Sequence, residues 1–310
     1  ETHISWVFRG EDEVWKVKKP VFLGFLDFRT AAARLAACEA EVRLNRRLAP
    51  EVYLGVVPIT HDGNRHRIGG DGEAVDWAVH MTRLPDAHRA DQRLEHGELD
   101  PQRIERLAER IAAFHAVTVT SGEIAQFGSV ESILVNVREN FDQTRAAIET
   151  HLRAADARTI ETYQLSFLGE HRSLFDARRQ AGRVRDGHGD LRLEQIYLGD
   201  DGTTTILDCI EFNERFRFGD VCADIAFLSM DLAARHRVDL AELLLAAYAR
   251  AANDYDLYLL VDFYESYRAF VRGKVATMLA ADLGARGGGA RAAPHAGHHA
   301  VGGLLGLPAA

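Results

Sequence analysis

His188-Gly189-Asp190-Leu191-Arg192-Leu193-Glu194-Gln195 is the stretch on which the reading turns. It sets a carboxylate, Asp190, and a side-chain amide, Gln195, with four residues between them. Downstream, Gln195 to Leu198 and Thr204 to Leu207 read as two short strands around the turn Asp200-Asp201-Gly202. The second strand, Thr205-Ile206-Leu207, ends on Asp208. An acid at the end of an apolar strand, reached by a hairpin that returns from the loop, is expected to face the same pocket as Asp190. The plain alternative for Asp190 is a helix cap or a surface carboxylate.

The spacing matches the D-x-x-x-x-N of a kinase catalytic loop, with Gln195 at the Asn position, and with a strand-ending Asp it is the arrangement phosphoryl transfer uses. One acid orients the attacking hydroxyl and accepts its proton, and the other holds Mg2+, a hard cation that prefers oxygen ligands. Other chemistries are disfavoured. There is no G-x-S-x-G elbow for a serine hydrolase. No H-E-x-x-H spacing offers a zinc site. His295, His298 and His299 lie in a Gly/Ala-rich tail and read as composition.

The 310 residues carry 37 Lys plus Arg against 46 Asp plus Glu, a formal net charge of −9. A general nucleic-acid binder needs a basic face, so that class is excluded. Hydrophobic residues at 47% and charged residues at 27% fit a globular chain with a sizeable core. Cys38, Cys209 and Cys222 are too few and too scattered for a disulfide framework, so a cytoplasmic location is expected. No signal peptide or membrane span is visible. The missing initiator Met suggests trimming or a start inside a gene.

Residues 1–84 read as strand-rich with one helix. Ile4 to Phe8 and Glu13 to Lys19 form a hairpin around Arg9-Gly10-Glu11-Asp12. Thr30 caps an Ala-rich helix to Leu48, with Leu35, Cys38 and Val42 as its apolar stripe. Val52 to Ile59 and Val75 to Leu84 read as strands, joined by a Gly- and Asp-rich loop over 62–72. From Asp100-Pro101, a cap with Pro at the first helical position, helices dominate. They are expected over 133–152, 159–180, 239–252 and 257–283. Residues 284–310 are mostly Gly and Ala, with no acid and no periodicity, and are expected to be disordered.

These residues carry a resemblance. His188-Gly189-Asp190 is similar to the H-G-D of the aminoglycoside-phosphotransferase and choline-kinase-like branch of the protein-kinase-like fold. Ile206-Leu207-Asp208-Cys209-Ile210-Glu211-Phe212-Asn213, then Gly219-Asp220 and Asp224-Ile225-Ala226-Phe227-Leu228, resemble its metal-Asp strand and following helix. Upstream, Lys16-Val17-Lys18-Lys19-Pro20-Val21, Gly24-Phe25-Leu26-Asp27-Phe28 and Leu44-Asn45-Arg46-Arg47-Leu48-Ala49-Pro50 extend the match, which covers roughly residues 1–283.

The resemblance implies an α+β, bilobal protein-kinase-like fold. Its small β-rich lobe would span 1–84 and its larger, mostly helical lobe 85–283. It implies an ATP-dependent phosphotransferase that moves the γ-phosphoryl of Mg-ATP to a hydroxyl of a small molecule. Asp190 would be catalytic, and Asp208 and Gln195 the metal ligands. Lys16 would pair the phosphates, with Glu41 as its helix partner; Lys18 and Glu39 are the rivals. Met81, Thr82 and Leu84 would form the adenine hinge. On an edge strand the two lysines also fit a role in blunting edge pairing. Asp220 and Asp224 are expected to brace the catalytic loop, and His115 to pack at a helix end.

The departures are specific. Gln195 stands where the family has Asn, and Arg192 where the resembled sequences tend to carry His. No G-x-G-x-x-G precedes the lysine strand. The resembled proteins often carry a further P-loop ATP-binding domain, yet no G-x-x-x-x-G-K-[ST] occurs here, and a truncated or frame-shifted C-terminus is the expectation for the tail. Two other readings stay open. One is a nucleotide-binding regulatory or pseudokinase module without transferase activity. The other is a small-molecule-binding domain that takes no nucleotide.

Overall fold

The computed structural model describes residues 4–23 and 26–285. Strands β1 (Ser5–Arg9) and β2 (Glu13–Lys18) lead into helix α1 (Ala31–Asn45), then β3 (Tyr53–His61), β4 (His66–Ile68) and β5 (Glu73–Thr82). Helices follow: α2 (Ala90–Glu95), α3 (Pro101–Val117), α4 (Gly122–Gln126), α5 (Val130–Thr144), α6 (Ala154–Glu170) and α7 (Arg172–Gln180). Short strands β6 (Val184–Asp186), β7 (Ile196–Leu198) and β8 (Thr204–Ile206) precede the turn α8 (Glu214–Arg217) and β9 (Phe218–Asp220). Helices α9 (Val221–Ala234), α10 (Val238–Ala252) and α11 (Val261–Ala285) complete the described chain.

The chain divides into two compact units. Among the described residues, one unit takes 4–23, 26–103 and 193–217, and the other 104–192 and 218–285. The first unit is an antiparallel sheet of order β1-β2-β5-β3-β4, with α1 packed on β5 and β3. Thr30 caps α1, its hydroxyl accepting the Ala33 N–H at 3.2 Å. Cys38 and Val42 from α1 meet Val52, Tyr53, Val79 and Met81 from the sheet, and Val14, Leu84 and Leu207 pack around them. A second cluster joins Leu26, Phe28 and Ala37 to Ile4, Val21 and Phe212. Both clusters draw on the returning segment 193–217, so that late stretch completes the core of an early sheet.

The second unit is helical. Its α9 lies against α10 and α11 and is buried on nearly all sides. That explains why its run from Val221 to Leu232 lacks a polar stripe. Arg178 anchors the unit from α7. It grips Asp220 through Nε and Nη2, at 2.6 and 2.7 Å, and Asp254 through Nη1 and Nη2, at 2.6 and 2.9 Å. Asp220 also caps α9, accepting the Cys222 N–H at 2.9 Å.

Several boundaries differ from the periodicity. The loop over 62–72 contains β4, paired with β3 around an Asx turn in which Asp62 Oδ1 accepts the N–H groups of Asn64 and Arg65. The helix expected to reach 152 stops at Thr144, whose hydroxyl bonds back to the carbonyls of Asn140 and Phe141. The helix expected over 159–180 breaks at His171, whose ring nitrogen bonds the Phe167 carbonyl at 3.0 Å. A 3-10 turn, Tyr255–Leu259, precedes α11 where the periodicity runs straight into a helix. The tail expected to be disordered lies outside the described residues, save for its first two positions, which end α11.

Candidate active site

In the first unit, strand alternation puts Val14, Lys16 and Lys18 of β2 on one face. Glu41, buried on α1, stands opposite the two lysines. Lys16 Nζ lies 2.7 Å from Asp208 Oδ1, in a hydrogen bond, and 2.9 Å from Glu41 Oε1, as an ion pair. Lys18 Nζ donates to Glu41 Oε2 and to Glu211 Oε1. One buried carboxylate thus serves two lysines, and each lysine reaches a second acid on the segment after β8.

The two lysines differ in depth. The Lys16 side chain is 13% exposed and the Lys18 side chain 0%. Burial pulls the Lys16 pKa down, but Asp208, Glu41 and Glu211 outweigh it, and the ammonium is held well above its ordinary range. Lys18 is raised in the same way, against burial, by Glu41 and Glu211. Burial pushes Glu41 up, yet Lys16 and Lys18 bring it below its ordinary value. Two lysines thus face three carboxylates, those of Glu41, Asp208 and Glu211.

Asp208 is the open member of the group, its side chain 40% exposed. Its backbone is left-handed, with φ +60°, a conformation Asp tolerates better than most residues. The Asp208 N–H donates to Tyr53 Oη at 3.3 Å. Asn45 adds a second tie: its amide donates to the Glu41 carbonyl at 2.9 Å and its Oδ1 accepts the Cys209 N–H at 2.9 Å. Gln195 is brought to the same hairpin, its carbonyl accepting the Leu207 N–H at 2.9 Å.

Met81 is buried beside Val14, Leu84 and Leu207. Where a hinge is expected, two N–H groups are engaged: Thr82 donates to the Val52 carbonyl at 2.9 Å, and Arg83 to the Asp12 carbonyl at 2.8 Å. Glu39, the rival to Glu41, is exposed on α1 and takes no part in the lysine cluster.

A magnesium ion fits this donor set. Mg2+ takes one or two carboxylates and completes its shell with phosphate and water oxygens. Asp208 offers such a carboxylate, part-exposed and held by a fixed backbone. Among the described residues no group of three or more His, Cys, Asp or Glu is arranged as a self-sufficient metal cage.

The second unit holds Asp190. Gly189 has φ +87°, which only glycine adopts without strain, and its N–H donates to Asp224 Oδ1 at 2.9 Å. The His188 N–H donates to the other oxygen, Asp224 Oδ2, at 2.6 Å. Arg268 Nη1 donates to the Gly189 carbonyl at 3.1 Å. Asp224 is buried, which raises its pKa, but the hydrogen bond from His115 and the charges of His115, His188 and Arg268 hold it well below the carboxylate range. His115 itself is pinned between Tyr248 Oη, at 2.8 Å, and Asp224. Asp224 thus braces the loop as expected, whereas Asp220 is engaged by Arg178 and the α9 cap. Asp190 carries a partner of its own: Arg192 Nε donates to Oδ1 at 2.9 Å and Nη2 to Oδ2 at 3.0 Å.

Sequence reasoning missed Glu211 as a lysine partner and Asn45 as the tie between α1 and the Cys209 backbone. Their partners lie 193 and 164 positions away, so no local spacing marks them.

Comparison with known proteins bears on the same residues. The family model described as "Phosphotransferase enzyme family" matches residues 13–263. An uncharacterized protein of Mycobacterium tuberculosis and its counterpart in Mycobacterium bovis are each 36% identical over 275 residues, covering 89% of this chain and 53% of theirs. The chain thus spans about half the length of these relatives. Among solved structures, the GDP and kanamycin complex of APH(2")-IIia superposes with a TM-score of 0.52 at 13% identity, covering 99% of this chain and 90% of that one. The GDP complex of wild-type aminoglycoside 2'-phosphotransferase-IIIa gives 0.52 at 14% identity, covering 99% and 88%. At such identity the likeness speaks to the protein-kinase-like α+β fold alone. Among the described residues no helix is long and apolar enough to cross a membrane.

Proposed function

The chain belongs to the phosphotransferase enzyme family, and from that premise we propose that it moves the γ-phosphoryl of Mg-ATP to a hydroxyl of a small molecule. The observation that carries this reading is the close-paired cluster of Lys16, Glu41 and Asp208 beside the apolar surface of Val14, Met81 and Leu207. The cluster offers one cation for phosphate oxygens, one carboxylate for a hard metal, and an apolar wall for a base.

Each residue then has a task. Lys16 releases Asp208 and takes the α- and β-phosphates, keeping Glu41 as its counter-ion. Asp208 and Gln195 would hold Mg2+, which would supply positive charge to offset that of the phosphates. The adenine edge falls to the backbone at Leu84, since the Thr82 and Arg83 N–H groups are engaged; Met81 lines the back of the pocket. Asp190 orients the acceptor hydroxyl and accepts its proton late. Such chemistry is chiefly positioning and charge stabilisation.

The acceptor is a small hydroxyl compound, and neither nucleic acid nor membrane is part of the reading. The protein acts in the cytoplasm, and a P-loop ATP-binding domain is the partner its resemblance implies. Gln195, one methylene longer than Asn, favours a second reading in which nucleotide binds without transfer. The decisive experiment pairs calorimetry with Mg-ATP and a transfer assay on a panel of hydroxyl compounds, water included. Turnover by the parent chain and its loss in Asp190→Asn, with binding retained, support the transferase. Binding with no transfer to any acceptor supports the second reading.

A further inference from the structure

We propose that Arg192 is a positioning residue for Asp190, holding its carboxylate in the plane and rotamer from which it meets the acceptor hydroxyl. The inference rests on the phosphotransferase reading of Asp190 and adds to it a residue that the resemblance does not supply, since the resembled loops tend to carry His at this place.

The argument begins with geometry. Arg192 Nε and Nη2 each donate to a different oxygen of Asp190, at 2.9 and 3.0 Å. This is the two-point fork that a planar guanidinium makes with a carboxylate and that neither His nor Lys reproduces. A single hydrogen bond leaves a carboxylate free to turn about its last torsion, whereas two parallel bonds fix both oxygens. Leu191, between the two residues, is buried and anchors the loop. Arg192 is largely buried, its side chain 14% exposed, while the Asp190 side chain keeps 29% exposure and so remains accessible.

The backbone under the pair is fixed as well. Asp224 accepts the two N–H groups just before Asp190, and Arg268 binds the Gly189 carbonyl. Those contacts settle the main chain but leave the Asp190 side chain to be set by something else. Arg192 makes that contact. In a loose phosphoryl-transfer transition state little covalent work falls to the base, so its orientation weighs heavily.

The test uses the full chain, Mg-ATP, and water, kanamycin and ethanolamine as acceptors. Arg192→Ala is expected to lower kcat by roughly tenfold or more while the calorimetric Kd for Mg-ATP stays within about twofold. Added guanidinium ion, at concentrations that leave the thermal melt unchanged, should restore part of the loss; Arg192→Lys, which cannot make the two-point fork, should lose kcat nearly as far as Arg192→Ala. In Asp190→Asn the further change Arg192→Ala should have little effect, because the two act as one unit. A crystal structure of Arg192→Ala should find the Asp190 carboxylate turned from its present rotamer.

Four results would overturn the proposal. One is unchanged kcat in Arg192→Ala. Another is a tenfold weaker Kd with unchanged kcat, which would make Arg192 a phosphate contact. A third is an unmoved Asp190 carboxylate in the variant crystal. The last, a parent chain that transfers phosphate to none of the acceptors, removes the phosphotransferase reading first and the proposal with it.

Discussion

Lys16 and Asp208, 192 positions apart in sequence, stand with Nζ 2.7 Å from Oδ1. The proposed phosphate cation and the proposed metal carboxylate therefore neutralise each other before nucleotide arrives. Binding must part them, and Glu41 remains behind Lys16 as its second anion, 2.9 Å away.

The two lysines should separate by experiment. Lys16→Met is expected to weaken Mg-ATP binding by tenfold or more at nearly unchanged melting temperature, because its head group reaches the surface. Lys18→Met should chiefly lower stability, by on the order of 3 kcal/mol, since it takes the Lys18 cation from buried Glu211 and leaves Glu41 to Lys16. Calorimetry and thermal melts on both variants check this. The reverse pattern would make Lys18 the phosphate ligand.

Asp224→Asn retains one acceptor oxygen where two N–H groups, of His188 and Gly189, now find two. Its amide then faces one of these donors. Turnover should fall roughly tenfold or more with Mg-ATP affinity kept, as expected of a brace that never touches the nucleotide. Steady-state kinetics alongside calorimetry would reveal an affinity loss instead, if the brace reached the nucleotide site.

Arg178 pairs two buried acids of the helical unit. Its replacement by Ala takes the guanidinium from buried Asp220 and leaves buried Asp254 the longer pair with Arg183, at 3.7 Å, and should cost about 3–5 kcal/mol. Urea unfolding measures this, and a loss below about 1 kcal/mol would mean that water reaches the two acids.

Glu265 supplies a pH signature. Burial, with smaller contributions from Asp262 and Glu242, pushes its carboxyl up to about 7 from an ordinary 4.5, against a hydrogen bond with Ser229. Between those values the folded chain holds a proton that the unfolded chain has released, so stability falls as pH rises through that window. Glu265→Gln should remove this fall and stabilise the chain at about pH 8 by on the order of 2 kcal/mol, with little gain near pH 4.5. Melts across the range check it; a gain independent of pH would assign the effect to packing.

Much of the frame was legible in the chain itself. The β1–β2 hairpin, the Thr30 cap, the start at Pro101 and the two strands around Asp200-Gly202 all rest on local rules, and the structure has each of them. The choice between Lys16 and Lys18 was not legible, because alternate residues on a strand share a face. Lys18 is the deeper of the two, and its partner Glu211 lies on a distant segment. Arg178 was invisible for the same reason, its partners lying 42 and 76 positions away. The shortened α5 and the break at His171 depend on side chains bonding their own backbone, which a hydrophobic period does not register. Arg192 could be seen as a departure, but its grip on Asp190 could not, since adjacency in a loop says nothing of direction.

The insertion of 193–217 into the first unit bears on how the protein emerges from the ribosome. The sheet from Ser5 to Thr82 is synthesised long before Asp208 and Glu211 exist. During that interval two ammonium groups crowd a single Glu41. A nascent chain paused before residue 208 should therefore keep this sheet loose and protease-sensitive, and it should tighten only when the later acids arrive.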